Sequence, residues 1–440
     1  MLKTLHEPFL KYLSNAKTVW IAFSGGLDSC VLLDLLIRMQ SELNINLKAI
    51  HIHHGLSENA DQWQQHCEKI ALHYGIPLQT IGVNAKAKKG ESPEAAARNA
   101  RYQAFKKIIE TDDVLLTAHH QDDQAETLLL QLLRGAGVKG LAAMPLFNSF
   151  GKGYHFRPLL SFTQDELCTY ANQYTLTWVT DESNAEIRFN RNYLRHHSFP
   201  LLKVRWPALT KTLARTAEHC AEAAELMDSL AMMDIEQVKG HLTNILIISK
   251  LKKLSKIRQK NVIRYWLTNC QLSTPNAKHM EQIFNTVLDC AKDANPKVCW
   301  SNVEIRRFRD LLYALLNNDI NNTRNSPLTW NNQEEPLVLP QGLGQLNCEF
   351  KQGVGIKKTY LENPLTISFR QGGERFYPEG RQGSHPLKKC FQEWNIPSWQ
   401  RDKIPLVYAN NELIAVIGYG ISEPYRAKGE EWGGIITLTK

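Results

Sequence analysis

The sequence predicts an α/β protein: an N-terminal domain on a parallel sheet, a helical middle domain and a small mixed α/β C-terminal domain. Three observations predict it. Short apolar runs alternate with amphipathic segments through the first half, the pattern of strands and helices in a sheet covered on both faces. From about Thr210 the chain turns Ala-rich, with long helical spacing. After the polar, Asn-rich stretch Leu315–Pro327, short strand-like pieces and turn residues dominate. The expected domains are 1–208, 209–316 and 336–440, with a linker at 317–335.

Each element of the first half has a local reason. Val19–Phe23 is rich in strand formers, and Ser29–Gln40 places Val31, Leu32, Leu35 and Leu36 at helical spacing. "LKAIHIHHG" reads as a strand, "ENADQWQQHCEKIALHYG" as a helix closed by Gly75, and "IPLQTIGV" as a strand. In "SPEAAARNARYQAFKKIIE", Ser92 is placed to cap a helix and Pro93 to occupy its first position. "DVLLTAHH" gives a fourth strand and "QDDQAETLLLQLLRG" the helix after it. Ligands on such sheets sit beyond the carboxyl ends of the strands, and Ser24–Ser29, His53–Gly55 and His119–Asp122 all fall there.

Composition sets bounds. With 43% hydrophobic and 22% charged residues the chain reads as ordinary soluble protein. No apolar run reaches the roughly 20 residues that span a bilayer, and no membrane partner is expected. Nine cysteines, scattered and never in C-x-x-C, fit a reducing cytoplasm and argue against a disulfide framework. A net charge of +8 permits nucleic-acid binding without establishing it.

The stretch "FSGGLDSC" links the first strand to its helix. Gly25 and Gly26 let backbone approach an anion, Ser24 and Ser29 add hydroxyl donors, and the helix N-terminus adds its dipole. A Walker A loop would need Lys-Ser/Thr, and a dinucleotide fingerprint would need glycine where Ser29 stands. At Ser24, Gly25, Gly26, Asp28 and Ser29 the segment resembles the S-G-G-x-D-S PP-loop of ATP pyrophosphatases. In that family the loop holds the pyrophosphate of ATP, which is cleaved between its α and β phosphates.

Three further segments narrow the reading. In "HIHHGL", His51 and His53 share a strand face; zinc ligation, plain polar strand ends and nucleotide contact all remain open. Asp122, Asp123 and Glu126 share one helix face beside His119 and His120, which suggests a site for a metal or an amine. "DESNAEIRFNRNYLRHH" carries Asp181, Ser183 and Asn184, and sets Arg191 and Arg195 four apart, where they can face one polyanion or simply solvent.

Taken in order, "SGGLDS", "HIHHGLS", "EAAARNARY", "AHHQDDQAETLLLQLLRGAGVKGLAAM", "RPLL", "DESN" and "RNYLR" resemble the tRNA(Ile)-lysidine synthetases. The resemblance is strong over Val19–Arg195, returns over Leu365–Tyr425, and predicts a Rossmann-like PP-loop domain with a tRNA-binding tail. It implies lysine attachment to the wobble cytidine of a tRNA(Ile) precursor, with ATP as co-substrate and Mg²⁺ assisting. By that likeness, Ser24, Gly25, Gly26, Leu27, Asp28, Ser29 and His53 would bind ATP, with Asp28 as a Mg²⁺ ligand. Asp28, Ser29, Asp123, Glu126 and His119 would be catalytic, with Asp123 and Glu126 holding lysine. His119, His120 and Asp122 stay open as the base.

The resemblance also gives tRNA contacts at Arg98, Arg101, Arg191, Arg195, Arg370, Arg375, Arg381, Lys388, Lys389 and Arg401. In the tail these cations, with Lys403, are interleaved with Trp394 and Trp399, which suits folded RNA; the tryptophans can equally sit inside. The rivals are a PP-loop 2-thiolase of tRNA, an ammonia-using synthetase on the same loop, and a non-catalytic tRNA-binding protein. Thiolases of this kind generally use cysteine nucleophiles or an iron–sulfur cluster, and here Cys30 lies in the helix after the loop while no C-x-x-C appears. A homodimer is left open.

Overall fold

The computed structural model describes residues 1–439 except 56–58, 85, 87–91, 183–185, 291–295 and 317–325. The expectations at Ser183 and Asn184, and at 317–325 of the linker, lie outside the described residues. The chain divides into two compact units, Met1–Asp234 and Ile235–Lys440.

In the first unit the strands are β1 (Val19–Ala22), β2 (Leu47–His53), β3 (Leu78–Gly82), β4 (Val114–Leu116), β5 (Phe147–Phe150) and β6 (Gly153–Phe156). Their order is β3-β2-β1-β4-β6-β5. All neighbours run parallel except the β5–β6 pair. The helices are α1 (Leu2–Leu13), α2 (Leu27–Leu43), α3 (Ala60–His73), α4 (Pro93–Ile108) and α5 (Gln121–Leu133). Chain order reverses at β1, between β2 and β4, and this opens a crevice at their carboxyl ends.

Strand alternation builds two cores. Ile21, Ala49 and Leu116 face Leu5, Phe9, Val31, Leu32 and Leu36, whereas Trp20, Ile50 and Leu115 face Ala104 and Phe105. Ser92 caps α4 as expected, its side chain accepting from Ala95 N at 3.2 Å. The β5–β6 hairpin is not apparent in the sequence. It turns at Gly151, with φ +62°, and a Cβ on Gly153 would stand 2.3 Å from Asp113 O.

Asp34, on α2, ties three elements together. It is 2% exposed and accepts from Arg38 Nε at 2.6 Å, Tyr170 Oη at 2.8 Å and Tyr74 Oη at 3.2 Å.

The long helix Leu209–Val238 forms as expected, and the boundary between the two units falls inside it. The helices Lys256–Asn269 and Ala277–Gln282 are also present. They share a core with an antiparallel sheet of β7 (Ile245–Ile247), β8 (Lys297–Trp300), β9 (Val303–Phe308) and β10 (Leu311–Leu316), which sequence reading did not identify. Beyond it stand a five-stranded and a four-stranded sheet with short helices at Leu387–Glu393 and Ser398–Arg401. The linker expected to run to residue 335 is corrected here. Leu328–Trp330 is a strand paired with Leu365–Ile367, and Trp330 is buried with its indole N–H on Glu335 O. Among the described residues no helix is long and apolar enough to cross a membrane.

Asp34→Ala leaves two phenols and a guanidinium without their acceptor. It is expected to lower unfolding free energy by about 3 kcal/mol, read from the urea midpoint at constant m-value.

Candidate active site

The crevice between β1 and β4 is lined first by the glycine loop. Gly25 has φ +80°, and a Cβ there would lie 2.9 Å from Cys67 Sγ, so the position requires glycine. Its carbonyl accepts from Val179 N at 2.9 Å, which holds the turn from outside. Gly26 is the N-cap of α2, leaving the first amides of the helix directed at the crevice. Ser29 Oγ donates to Gly26 O at 2.9 Å and lies 3.2 Å from Ser24 Oγ. These parts make an anion cradle.

Asp28, at the second position of α2, stands at the meeting point with β4. Its Oδ2 is 3.7 Å from His120 Nε2, while its Oδ1 is buried without a hydrogen-bond partner. Burial pushes the Asp28 carboxyl up to about 6, opposed by His120 and reinforced by the neighbouring charge of Asp123.

The imidazole of His120 is 2% exposed and lies among three carboxylates: Asp123 at 3.5 Å, with Asp28 and Asp122 each at 3.7 Å. His119 is the histidine expected in the catalytic set, but the structure puts His120 between the acids. His119 turns instead to Thr117 Oγ1, 2.7 Å from its Nδ1. The acids are themselves held. Asp122 accepts from Gln164 N, Lys203 Nζ and Thr210 Oγ1 at 3.1 to 3.3 Å. Its carboxyl lies below the usual range: burial pushes it up, and the Gln164 amide and Lys203 outweigh that.

Asp123 and Glu126 meet Arg191 and Arg195. Arg191 Nε donates to Glu126 Oε2 at 2.7 Å and Arg195 Nε to Oε1 at 2.6 Å, while both Nη2 atoms reach Asp123 Oδ1 at 3.0 and 3.2 Å. Residues assigned from sequence to two different substrates therefore form one cluster. The structure does not leave Glu126 open as a lysine contact, because both oxygens are covered and its side chain is 2% exposed. Asp123, at 13%, retains some open surface.

On β2, His51 is buried with Nδ1 donating to Phe23 O at 3.0 Å, a tie between strand ends. His53 Nε2 is 2.9 Å from Asp61 Oδ1 at the edge of the site. Arg98 and Arg101 stack on the Tyr102 ring at 4.9 and 5.7 Å. Cys30 and Cys67 lie buried beneath the loop, and burial pushes both thiols up to about 12, so neither offers a thiolate near neutral pH.

In the second unit Lys388 and Lys389 are exposed on one short helix. Arg370, Arg375 and Arg381 make local contacts with Asp402, Ser384 and Glu393. Arg401 is corrected: it is 8% exposed and donates Nε to Ile396 O at 2.9 Å, a strut inside the domain, not a surface cation. Trp394 packs on Phe376 and Phe391, and Trp399 on Tyr313 beneath Arg306.

A glycine turn between parallel strand and helix, without the Walker lysine, faces acids and histidines across a switch point. That combination defines a PP-loop nucleotide-binding protein, and residues 1–202 match the model of the PP-loop domain. Residues 246–313 match the TilS substrate binding domain, and residues 365–437 the TilS substrate C-terminal domain. The chain is 47% identical over 425 residues to a tRNA(Ile)-lysidine synthase of Coxiella burnetii, covering 97% of this chain and 94% of that one. It is 40% identical to another from Methylococcus capsulatus, with 94% of each covered. It belongs to the tRNA(Ile)-lysidine synthase family. Among solved structures, the U34-tRNA thiolase NcsA of Methanococcus maripaludis is similar at 18% identity and a TM-score of 0.44, covering 50% of this chain and 78% of that one.

Gly25→Ala is expected to weaken ATP binding at least tenfold, about 1.4 kcal/mol, because the turn must leave the φ +80° conformation and Cys67 must move. Calorimetric titration with ATP, beside an unchanged far-ultraviolet dichroism spectrum, checks it.

Proposed function

We propose that the protein attaches free lysine to C2 of the wobble cytidine in a tRNA(Ile) precursor with a CAU anticodon, using ATP. The observation that carries this reading is the meeting of two motifs at one crevice. The loop suited to pyrophosphate and the AHHQDD turn approach to 3.7 Å through Asp28 and His120. Both relatives named above are tRNA(Ile)-lysidine synthases, which agrees with it.

The chemistry needs the parts found here. The C2 oxygen attacks the α-phosphorus of ATP, and the bond to the bridging oxygen breaks as pyrophosphate leaves. The ε-amine of lysine then adds at C2, and the carbon–oxygen bond breaks as AMP departs with that oxygen, while the amine gives up a proton. Ser24, Ser29 and the amides at the start of α2 receive the pyrophosphate charge. Asp28, with its unpartnered Oδ1, would hold Mg²⁺, a hard cation satisfied by one or two carboxylates plus phosphate oxygens. When bound, that ion supplies neutralisation of phosphate charge. His53 borders the nucleotide, Asp123 offers the accessible charge for lysine's ammonium, and Arg191 with Arg195 keeps the acids in place. Arg98 and Arg101 face phosphate, and Lys388 with Lys389 grips the tRNA backbone together with Arg370, Arg375 and Arg381. The rival reading, 2-thiolation, gains nothing from the thiols beneath the loop: Cys30 and Cys67 are buried and held protonated.

Incubation with unmodified tRNA(Ile) transcript, Mg-ATP and labelled lysine is expected to yield a cytidine–lysine adduct on nucleoside mass analysis. Incorporation of sulfur or ammonia instead, or no adduct, would overturn the reading. Asp28→Asn is expected to lower adenylation at least about a hundredfold while tRNA affinity stays within twofold.

Lys388→Glu with Lys389→Glu should weaken tRNA binding about tenfold at 50 mM salt, with the difference shrinking toward about 200 mM. Fluorescence anisotropy across that series checks it, and salt-independent affinity would remove these lysines from the interface.

A further inference from the structure

Behind His119 runs a chain of buried polar groups to which nothing above assigns a role. Arg157 is 6% exposed; its Nη1 donates to Pro145 O at 2.7 Å and Asn148 Oδ1 at 3.0 Å, and its Nη2 lies 2.8 Å from His155 Nδ1. His155, 1% exposed, puts Nε2 at 2.8 Å from Thr117 Oγ1. Thr117, 7% exposed, puts the same oxygen 2.7 Å from His119 Nδ1. The links come from β6, the residue that follows it, and the residue that follows β4.

Donor chemistry orders this chain from one end. A guanidinium has donors and no acceptor, so His155 Nδ1 must accept. The neutral ring of His155 then carries its proton on Nε2 and donates it to the threonine oxygen. Thr117 has one hydroxyl proton left to give, and among the described residues its only other partner within hydrogen-bond reach is His119 Nδ1. If His119 Nδ1 donated instead, the buried hydroxyl would be left without an acceptor, which folded proteins avoid.

We propose that Arg157, His155 and Thr117 are positioning residues that hold His119 as the neutral Nε2–H tautomer, a hydrogen-bond donor to an oxygen of the adenylated base or its phosphate. The inference rests on the reaction proposed above for the identity of that oxygen alone; the tautomer follows from the chain itself.

Burial, with the nearby Arg157 charge, pushes His155 down to about 3. Burial also holds His119 well below its ordinary value; Asp123 opposes this, while Arg157, Arg191 and Arg101 reinforce it. Both rings are therefore neutral near pH 7, as the ordered chain requires. His119 at Nε2 presents a proton where a base would need a lone pair, so it is removed from the groups that can deprotonate the incoming amine. An N–H at this place does what a neutral donor does elsewhere: it stabilises charge developing on oxygen without carrying charge of its own.

The test uses the full-length protein labelled with ¹⁵N-histidine, with His119→Gln to assign the His119 signals. Long-range ¹H–¹⁵N spectra at pH 7.5 are expected to show His119 protonated on Nε2 and bare on Nδ1. Thr117→Val is expected to release that preference and to lower kcat for lysidine formation ten- to a hundredfold, with KM for ATP and tRNA within about twofold. Thr117→Ser, which restores the hydroxyl, should recover the wild-type spectrum and kcat within about threefold. A wild-type spectrum with Nδ1–H on His119 overturns the proposal, as does a Thr117→Val protein with unchanged spectrum and kcat. Should Thr117→Val fail to fold, the wild-type and Thr117→Ser spectra decide alone. An Nε2–H spectrum in a protein that makes no lysidine overturns the reaction while leaving the tautomer standing.

Discussion

The burial of Glu126 is the constraint on which the geometry of the crevice depends. A carboxylate 2% exposed costs several kcal/mol to desolvate unless cations and hydrogen bonds replace its water. Arg191 and Arg195 provide both, and the Nη2 of each also reaches Asp123 Oδ1. The two acids lie in the first turns of α5, immediately after β4, so the cluster fixes residues 191–195 against the carboxyl edge of the sheet. His120, the residue before α5, is thereby held in place, and it stands against Asp28 in the first turn of α2. One buried ion cluster thus registers a segment some 65 residues further along the chain with the loop that opens the site.

The distribution of charge follows from the same cluster. Asp122, Asp123 and Glu126 each have a lysine or arginine within ion-pair distance. Among the described residues Asp28 has only the imidazole of His120. The unmatched negative charge therefore sits beside the cradle built for phosphate, where two anions would repel. The divalent ion proposed at Asp28 would offset both charges. Burial is the main reason the Asp28 carboxyl is raised, with the neighbouring charge of Asp123 adding to it against His120.

The parts of the fold legible in sequence are those governed by local rules. The short apolar runs Val19–Phe23 and Val114–Leu116, the Ser92–Pro93 helix start and the glycine turn at Gly25 all act within a few residues. The β5–β6 hairpin and the sheet of β7 to β10 were hidden because their strands are short and their patterning reaches significance only through pairing. Arg401 read as a surface cation because composition cannot distinguish a guanidinium in solvent from one donating to a buried carbonyl. The acid–arginine cluster had no sequence signal for a different reason. Each half was visible as charges spaced along a helix, but their pairing is long-range, and both halves suited an external ligand equally well.

His119 and His120 show how adjacent residues of one type acquire opposite work. Thr117 and His119 lie two apart past the end of β4, where strand geometry still turns them to one side, toward β6 and the chain ending at Arg157. His120, one residue on, is turned to the other side, toward α2 and the carboxylates. A guanidinium dictates the protons on one ring, whereas three carboxylates surround the other. The double histidine of "AHHQDD" is therefore two functional groups with opposed electrostatic environments. A substitution at one position cannot be compensated by the other, because the imidazole that remains points to the other side.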